Sequence, residues 1–308
     1  MEIRQLETLV SIDEHRTFSR AAEALGTVQS NVSNRVARLE AELGTELIDR
    51  ASGNLTESGA IVVERARRIL TELRAIASDV SELNADVAGQ VNLGMIGSAG
   101  RWVVPLALEA VRSRYPNINL RISEGTNSAL EPRVINGQLD LAVLAAPVMA
   151  DELSEVDLFT EDLVVIARRD HPLAQLPSPL TFDTLAQHDI LLPMVGTPIR
   201  REIDQAAQRA GVALRPLVEI DGLRTIASMT FDGHGPSILP ATMLSPHLRA
   251  AFVAIPIEGI AKRRVVLTSR RFGFPAAPVR AIAALLKDIV TNATNAPKGV
   301  YLPAPPLP

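Results

Sequence analysis

Apolar positions recur at helical spacing in three successive segments at the start of the chain. The first segment runs from Ile3 to about His15, and the second, rich in alanine, lies between Thr17 and Gly26. Thr17 or Ser19 can cap the second helix, and Gly26 suits the left-handed position that often ends a helix. The buried side of the third segment follows steps of four, three and four, at Val32, Val36, Leu39 and Leu43. The pattern predicts a helix, a tight turn and a second helix within residues 1–59.

The opposite face of the third helix is polar and free of acids, since no Asp or Glu occurs between Glu23 and Glu40. Asn and Gln can pair with adenine, Arg with guanine, and Ser with phosphates or bases, so this face suits base readout in a DNA major groove. Its candidate DNA-contacting residues are Gln29, Ser30, Asn31, Ser33, Asn34, Arg35 and Arg38. The alternative is a helical interaction module whose polar face is only solvated.

The charge of this region limits how tightly it can bind DNA alone. Residues 1–60 contain six arginines, no lysine and ten acidic residues, a net charge of −4. Neutralisation of phosphates supplies much of non-specific DNA affinity. We therefore expect weak binding by a monomer and a dependence on local charge placement and dimerisation.

Residues 60–89 form a linker with a second apolar pattern. Alternating steps of four and three connect Val62, Ala66, Ile69, Leu73, Ile76, Val80, Leu83 and Val87 before Gly89. Such spacing is typical of a coiled coil and predicts a dimerisation helix, with Val62 to Leu83 as its contact residues. The alternative is a helix packed on its own domain, which would usually show a broader apolar face.

From residue 90 onward, short β-rich segments alternate with helical ones, which predicts an α/β domain with mainly parallel strands. We expect two lobes with a cleft between them, lobe I from residues 90–162 and 265–295 and lobe II from 163–264. This two-lobed domain would thus span residues 90–295. Residues 296–308 contain five prolines and are predicted to be a disordered tail.

Ligands of open α/β sheets bind beyond the carboxyl ends of strands, near helix N-termini that attract anions. Ser98 stands at one such strand-to-helix junction, Thr126 and Asn127 at another, and Thr197 at one in the second lobe. An anionic ligand could also use Arg200, Arg201 or Arg224. Each Ser or Thr could equally be a helix cap, and each Arg a surface charge.

Composition narrows the function classes. The chain has no cysteine, which excludes disulfides, thiolate metal sites and thiol-based peroxide sensing. Its five histidines have no metal-ligand spacing, and the loop from Gly94 to Gly100 lacks dinucleotide-binding glycine spacing. No secretory signal or membrane span is evident, so we expect a cytoplasmic protein without a cofactor. An enzyme and a solute-binding protein are the rival interpretations.

Several ordered segments resemble LysR-type transcriptional regulators. In the head these are Phe18 to Leu25, Gln29 to Ser33, Leu39 to Gly44, Leu47 to Arg50 and Leu55 to Gly59. In the effector domain they include Arg112 to Pro116, Gly137 to Ala142, Asp170 to Ala174 and Gly235 to Pro240. The resemblance spans residues 1 to about 290.

The resemblance implies a winged helix-turn-helix, a dimerising linker helix and a two-lobed effector domain similar to periplasmic solute-binding proteins. It adds Ser19, Arg20, Arg50 and Thr56 to the candidate DNA contacts, and implicates Ser98, Thr126 and Thr197 as effector contacts. The implied partners are double-stranded DNA with pseudo-palindromic sites, a second copy in a dimer or tetramer, a small-molecule effector and RNA polymerase, with no membrane.

The sequence departs from the family pattern in three places. Val28 stands where Ser is usual and Ser30 where Pro is usual, so we expect the third helix to start from Thr27. The wing between Arg50 and Leu55 is short and lacks the usual basic residue. We therefore expect Arg50 to make more of the DNA contact that the wing makes in the family.

Overall fold

A computed structural model describes residues 1–49, 52–82 and 87–303. The head consists of helices α1 (Ile3–His15), α2 (Phe18–Ala24) and α3 (Gln29–Leu43), followed by an isolated antiparallel bridge between Ile48 and Leu55. Leu9, Val32, Leu39 and Leu47 are fully buried between these elements. Burying each leucine side chain contributes about 2 kcal/mol, so this small core holds α3 firmly against α1.

The long linker helix α4 (Glu57–Glu82) begins directly after the bridge and packs against α1. Its start lies so close to the bridge that a Cβ on Gly59 would overlap the backbone oxygen of Leu47. Arg67, only 6% exposed, extends from α4 to Asp13 and Glu14 at the end of α1. Close backbone approach and this ion cluster together attach the linker to the head.

The second part of the chain contains two sheets, as the α/β pattern predicts, but the prediction of mainly parallel strands is wrong, because five of the nine strand pairings described are antiparallel. Within the described residues, the first sheet has strand order β11-β4-β10-β3-β1-β2. Its strands are β1 (Gly89–Met95), β2 (Ile118–Glu124), β3 (Leu141–Ala145), β4 (Leu153–Glu161), β10 (Arg263–Arg270) and β11 (Val300–Tyr301). Strand β1 is parallel to β2 and β3, whereas β10 is antiparallel to β3 and β4. Helices α5 (Gly97–Arg114), α6 (Asn127–Ile135) and α10 (Ala277–Thr291) accompany this sheet as lobe I.

The second sheet forms lobe II, with order β7-β6-β8-β5-β9 in the described part of the chain. Its strands are β5 (Leu163–Arg168), β6 (Ile190–Pro193), β7 (Pro216–Ile220), β8 (Ser237–Pro240) and β9 (Phe252–Pro256). Its helices are α7 (Phe182–Leu185), α8 (Pro198–Arg209) and α9 (Leu223–Phe231). The chain enters this lobe after β4 and leaves it before β10, so two crossovers connect the lobes.

Strand β4 was not predicted, and a bulge explains why. Val265 of β10 pairs with Phe159, and the next residue, Val266, pairs with Asp157. Leu158 is thus skipped, and Leu158 and Phe159 are consecutively buried. A bulge interrupts the alternation by which a strand is recognised in sequence.

The prediction that residues 296–308 form a disordered tail is wrong for 296–303. Strand β11 pairs with β4, and the backbone N–H of Asp162 donates to the oxygen of Gly299 at 2.8 Å. The hydroxyl of Tyr301 donates to Asp162 Oδ2 at 2.9 Å, and Lys262 Nζ lies 3.4 Å from the centroid of the Tyr301 ring. A terminal strand, a hydrogen bond and a cation–π contact therefore order a proline-rich segment; residues 304–308 lie outside the described part.

Candidate functional site

Helix α3 presents the polar face expected of a recognition helix. Val32, Val36 and Leu39 are buried on its inner side, whereas the prediction that Leu43 is buried with them is wrong, since Leu43, in the last turn, is 41% exposed. The predicted DNA contacts on its outer side are exposed, namely Gln29, Ser30, Asn31, Ser33, Asn34 and Arg38. Ser19 and Arg20 of α2 are exposed as well, and Ser19 Oγ donates to Gln29 Oε1 at 3.1 Å. The start of α3 and the exposed side of α2 thus form one continuous polar surface.

Local hydrogen bonds and backbone geometry fix where α2 begins and where α3 begins. The Thr17 hydroxyl accepts from the backbone N–H of Arg20 at 3.3 Å, and Gly26 has a left-handed φ of +61°, as predicted. The prediction that α3 starts from Thr27 is wrong: Val28 is the N-cap residue, and no side-chain cap is described there. Thr27 precedes the N-cap residue, and its Oγ1 accepts a hydrogen bond from Nδ2 of Asn31 in the first turn of α3 at 3.1 Å.

Two predicted DNA contacts have structural partners. Arg35 is half-buried and its Nη1 donates to Thr8 Oγ1 on α1 at 3.4 Å. The Thr56 hydroxyl donates to the backbone oxygen of Glu46 at 2.7 Å and accepts from the N–H of Gly59 at 3.0 Å. Thr56 therefore caps α4, and Arg35 ties α3 to α1. Arg50 lies outside the described residues.

The acid that follows the recognition face turns inward. Glu40 Oε1 accepts from the backbone N–H groups of Leu47 and Ile48 at 2.8 and 3.3 Å. These two bonds place a carboxylate where it orients the bridge leading to the wing. The Glu40 carboxylate is therefore held at the bridge by charge-assisted hydrogen bonds.

The linker helix carries two apolar surfaces, of which only one faces outward. Ala66 is 1% exposed and belongs to the core of the head, so it is unavailable to a second chain, contrary to the prediction. Val62 is half-buried against the same core. The exposed residues of the predicted dimerisation stripe are Ile69, Leu73, Ile76 and Val80, between 36% and 61% exposed. Leu83 lies outside the described residues.

The lobes meet at a cleft beside the start of α5, where a Cβ on Gly97 would stand 3.9 Å from Cγ of Arg224 in lobe II. Ser98 is 1% exposed, and among the described residues its Oγ has no hydrogen-bond partner. It lies in the first turn of an 18-residue helix whose first backbone N–H groups have no intrahelical acceptor. Such a helix terminus favours an anion.

Arg224 crosses this cleft. It extends from the first turn of α9 in lobe II and forms an ion pair with Glu124, the last residue of β2 in lobe I. Nearby, Arg101 Nε donates to Ser245 Oγ at 2.9 Å, and the Arg101 guanidinium lies 5.2 Å from the centroid of the Phe231 ring. Burial and the positive charge of Arg224 lower the pKa of Arg101 below its ordinary value. Two arginines and one carboxylate therefore meet where the lobes face each other.

The other predicted effector contacts have partners within their own lobes. Asn127 is held by Ala145 at the end of β3: its Nδ2 donates to the backbone oxygen at 2.6 Å and its Oδ1 accepts from the N–H at 3.2 Å. Its amide is thus used to fix that strand end, rather than free for a ligand as expected. Exposed Thr126 bonds Ser128 at 3.0 Å. Thr197 caps α8, accepting from the N–H of Arg200 at 3.3 Å.

Arg200 is one of three candidate cations that the structure separates. It is buried, bonds Asp204 at 2.8 Å and also pairs with Glu219. Arg201 is exposed on α8. Glu124 and Arg101, by contrast, were not singled out from the sequence. The one available signal was the position of Glu124 at the carboxyl end of a predicted strand.

A buried carboxylate lies at the crossover between the lobes. Glu161 is fully buried and accepts from Thr242 Oγ1 at 2.7 Å and from Arg263 Nη1 at 3.1 Å. Arg263 Nε also approaches Glu202 at 3.5 Å. Burial raises the pKa of Glu161, against the opposing effect of Arg263. This network fixes the ends of β4 and β10 together.

In residues 1–49, 52–82 and 87–303, no cluster of three His, Asp or Glu side chains could hold a metal ion. None of the helices described has the length and apolar character required to cross a bilayer.

Comparison with known proteins covers the head and the two-lobed domain separately. Residues 3–60 match the family model of the bacterial regulatory helix-turn-helix protein, lysR family, and residues 84–290 match that of the LysR substrate binding domain. The hydrogen peroxide-inducible genes activator of Pectobacterium carotovorum subsp. carotovorum is 30% identical over 243 residues, which cover 78% of this chain and 80% of that protein.

Solved structures share the whole architecture. A full-length OxyR variant from Pseudomonas aeruginosa has a TM-score of 0.76 at 23% identity, covering 99% of both chains. Full-length CbnR complexed with its target DNA has a TM-score of 0.64 at 22% identity, covering 94% of this chain and all of that one. At these identities the likeness establishes the fold.

Proposed function

Since the chain belongs to the LysR family of bacterial transcriptional regulators, we propose that it binds pseudo-palindromic DNA as a dimer and that a small acidic effector in its cleft adjusts this binding. The protein is a DNA-binding regulator with a helix-turn-helix head and an effector-binding domain. The observation that carries the DNA-binding part is the exposed, acid-free face of α3.

Double-stranded DNA is the partner that suits this face. The N-terminal residues of a recognition helix contact base edges in the major groove, and here they are Gln29, Ser30 and Asn31. Asn34 and Arg38 extend the face by one and two turns. CbnR, which shares the fold, was determined with its target DNA. We assign base contacts to the exposed amides and phosphate contacts to Arg20 and Arg38.

The exposed part of the linker stripe suits a second copy of the chain. Ile69, Leu73, Ile76 and Val80 alternate steps of four, three and four, which is the seam of a coiled coil. Pairing there would give two recognition helices for two half-sites, and dimers could pair further into tetramers. We place the protein in the cytoplasm, where DNA is available to it, with no enzymatic reaction of its own.

An anionic effector suits the cleft because positive groups converge there. Arg224 approaches the N-terminus of α5, a helix that also carries Arg101 and the buried Ser98 hydroxyl. The name of the Pectobacterium relative connects it with hydrogen peroxide. This chain has no cysteine, so thiol oxidation is not its signal. We propose reversible, non-covalent binding of an organic acid, with Thr126 and Thr197 as further contacts at the cleft edges.

Replacement of Asn34 by alanine tests the DNA-binding part. DNA sites would first be enriched from a random duplex pool with the wild-type protein, and affinity then measured by gel shift at fixed salt. We expect Asn34→Ala to bind the selected site about 10- to 100-fold more weakly, because a bidentate amide–adenine contact is lost. The control is Gln208→Ala, an exposed amide on α8 of lobe II. Equal affinities for both variants would refute the assignment of α3 as the reading helix.

A further inference from the structure

One ion pair joins the two lobes across the cleft. Glu124 ends β2 in lobe I and Arg224 begins α9 in lobe II, so the pair joins two elements that share no sheet. A second contact across the same gap is the hydrogen bond from Arg101 to Ser245. These polar contacts hold the lobes together through groups that a ligand could also engage.

The Glu124 carboxylate lies against the start of α5. A Cβ on Gly97 would stand 2.7 Å from Glu124 Oε1 and 3.9 Å from Cγ of Arg224. The carboxylate thus has the backbone at the N-terminus of α5 on one side and a guanidinium on the other. Those are the two kinds of group that bind a free carboxylate. The absence of a side chain at Gly97 leaves the space in which Glu124 lies.

We infer that Glu124 is an internal competitor of the effector for Arg224, and that this competition makes the cleft selective for acids. The inference rests on the proposed function, in which an acidic effector binds between the lobes. An entering carboxylate takes the place of the Glu124 carboxylate beside Arg224 and the start of α5. A neutral ligand of the same shape cannot, because it would leave Arg224 without a counter-charge or leave Glu124 in the way.

Charge and exposure make the exchange feasible. Glu124 and Arg224 side chains are 43% and 59% exposed, so the displaced carboxylate turns to water without a large desolvation cost. Two cations, Arg101 and Arg224, lie near the Glu124 carboxylate, so this part of the cleft still attracts anions while Glu124 is in place. The Glu124 carboxylate therefore lowers the affinity for an acidic ligand without preventing its binding.

The experiment measures the binding of acetate and benzoate, with acetamide and benzamide as neutral counterparts, by calorimetry on the full-length protein. Variants are Glu124→Gln, Arg224→Gln and the double variant, with Glu109→Gln as a control that removes one exposed charge from α5 of the same lobe. Circular dichroism checks that all are folded. We expect Glu124→Gln to bind at least one acid about two- to fivefold more tightly than wild type, the range for an exposed ion pair.

The gain should disappear in the double variant, because Arg224 is the group for which Glu124 competes. It should also shrink from about 50 to about 500 mM salt, which a purely structural role of Glu124 would not cause. If wild type, Glu124→Gln and Glu109→Gln bind an acid with equal affinity, the inference is overturned, but the proposal of an acidic effector is not. Failure of every protein to bind either acid would overturn both, and wild type binding an amide as tightly as the matching acid would refute the selectivity.

Discussion

Arg67 connects the reading head to the linker, and its removal should unfold the head selectively. Its side chain is 6% exposed and donates to Asp13 at 2.8 Å and Glu14 at 2.6 Å. Asp13 is 17% and Glu14 49% exposed, so only half of the cluster is well shielded from water. Arg67→Met keeps most of the aliphatic length and removes the charge, which leaves the largely shielded Asp13 with the exposed Arg16, at 3.4 Å, as its remaining ion-pair partner.

The expected loss follows from this geometry. Removing one partner of a fully buried ion pair costs about 3–5 kcal/mol, because the other charge remains buried without compensation. The half-exposed Glu14 can turn to water, so we expect about 2–3 kcal/mol for Arg67→Met. The matched control is Arg68→Met, the next residue, whose pair with Glu64 is 38% and 44% exposed. An exposed pair at this spacing contributes about 0.3–0.5 kcal/mol.

Two optical probes report on different parts of the chain during urea unfolding. The helices of the head and of both lobes contribute to the far-ultraviolet circular dichroism, whereas the single tryptophan, Trp102, packs against Phe159 and reports on lobe I, so a change seen only by circular dichroism lies outside lobe I. Arg67→Met should lower the midpoint of the first helical transition by about 1–2 M urea and leave the tryptophan transition unchanged. Equal midpoints for the Arg67 and Arg68 variants, or an equal shift of the tryptophan signal, would refute the reasoning.

Two further predictions concern assembly and pH. Leu73→Asp should convert the dimer into monomers and abolish operator binding, since it places a charge in the exposed stripe; sedimentation that still shows an intact oligomer would contradict this. Burial lowers the pKa of His171 below its ordinary 6.5, with the charge of His188 acting in the same direction, and Nδ1 of His171 accepts from the N–H of Leu173 at 3.2 Å. The folded protein thus prefers neutral His171, so its free energy of unfolding should fall as pH decreases through about 6.5. The fall should be less steep in His171→Ala. Parallel plots of unfolding free energy against pH for wild type and His171→Ala would refute this prediction.

Features that depend on nearby residues were predictable from the sequence, and those that join distant segments were not. The cap at Thr17, the turn at Gly26 and the buried side of α3 each involve residues within a few positions of each other, so spacing alone identifies them. The two-lobed α/β fold is likewise confirmed from alternating segments. The Glu124–Arg224 pair spans about a hundred residues, and no local pattern indicates it.

The linker shows a different limit of periodicity. Apolar residues that recur at alternating steps of four and three lie on one side of a helix. The pattern does not show whether each part of that side packs against its own domain or against a second chain. Here Ala66 packs into the head core while Leu73 and Ile76 remain exposed, so one unbroken pattern includes a buried section and an open one. The own-domain interpretation is therefore correct for the first turns of α4, and the coiled coil stays a prediction for the exposed turns.

The net charge of the head conceals how its acids are distributed. Asp13 and Glu14 are committed to Arg67, Glu40 to the backbone of the bridge, and Glu42 to the N-terminal amine. Each of these four carboxylates therefore has a partner within the head. The face itself keeps Arg20 and Arg38 exposed with no acid between Glu23 and Glu40. Because fields at a surface depend on nearby charges within about a Debye length, an acidic head can present a local surface that accepts DNA, and we expect its affinity to depend on dimerisation because that surface has few arginines.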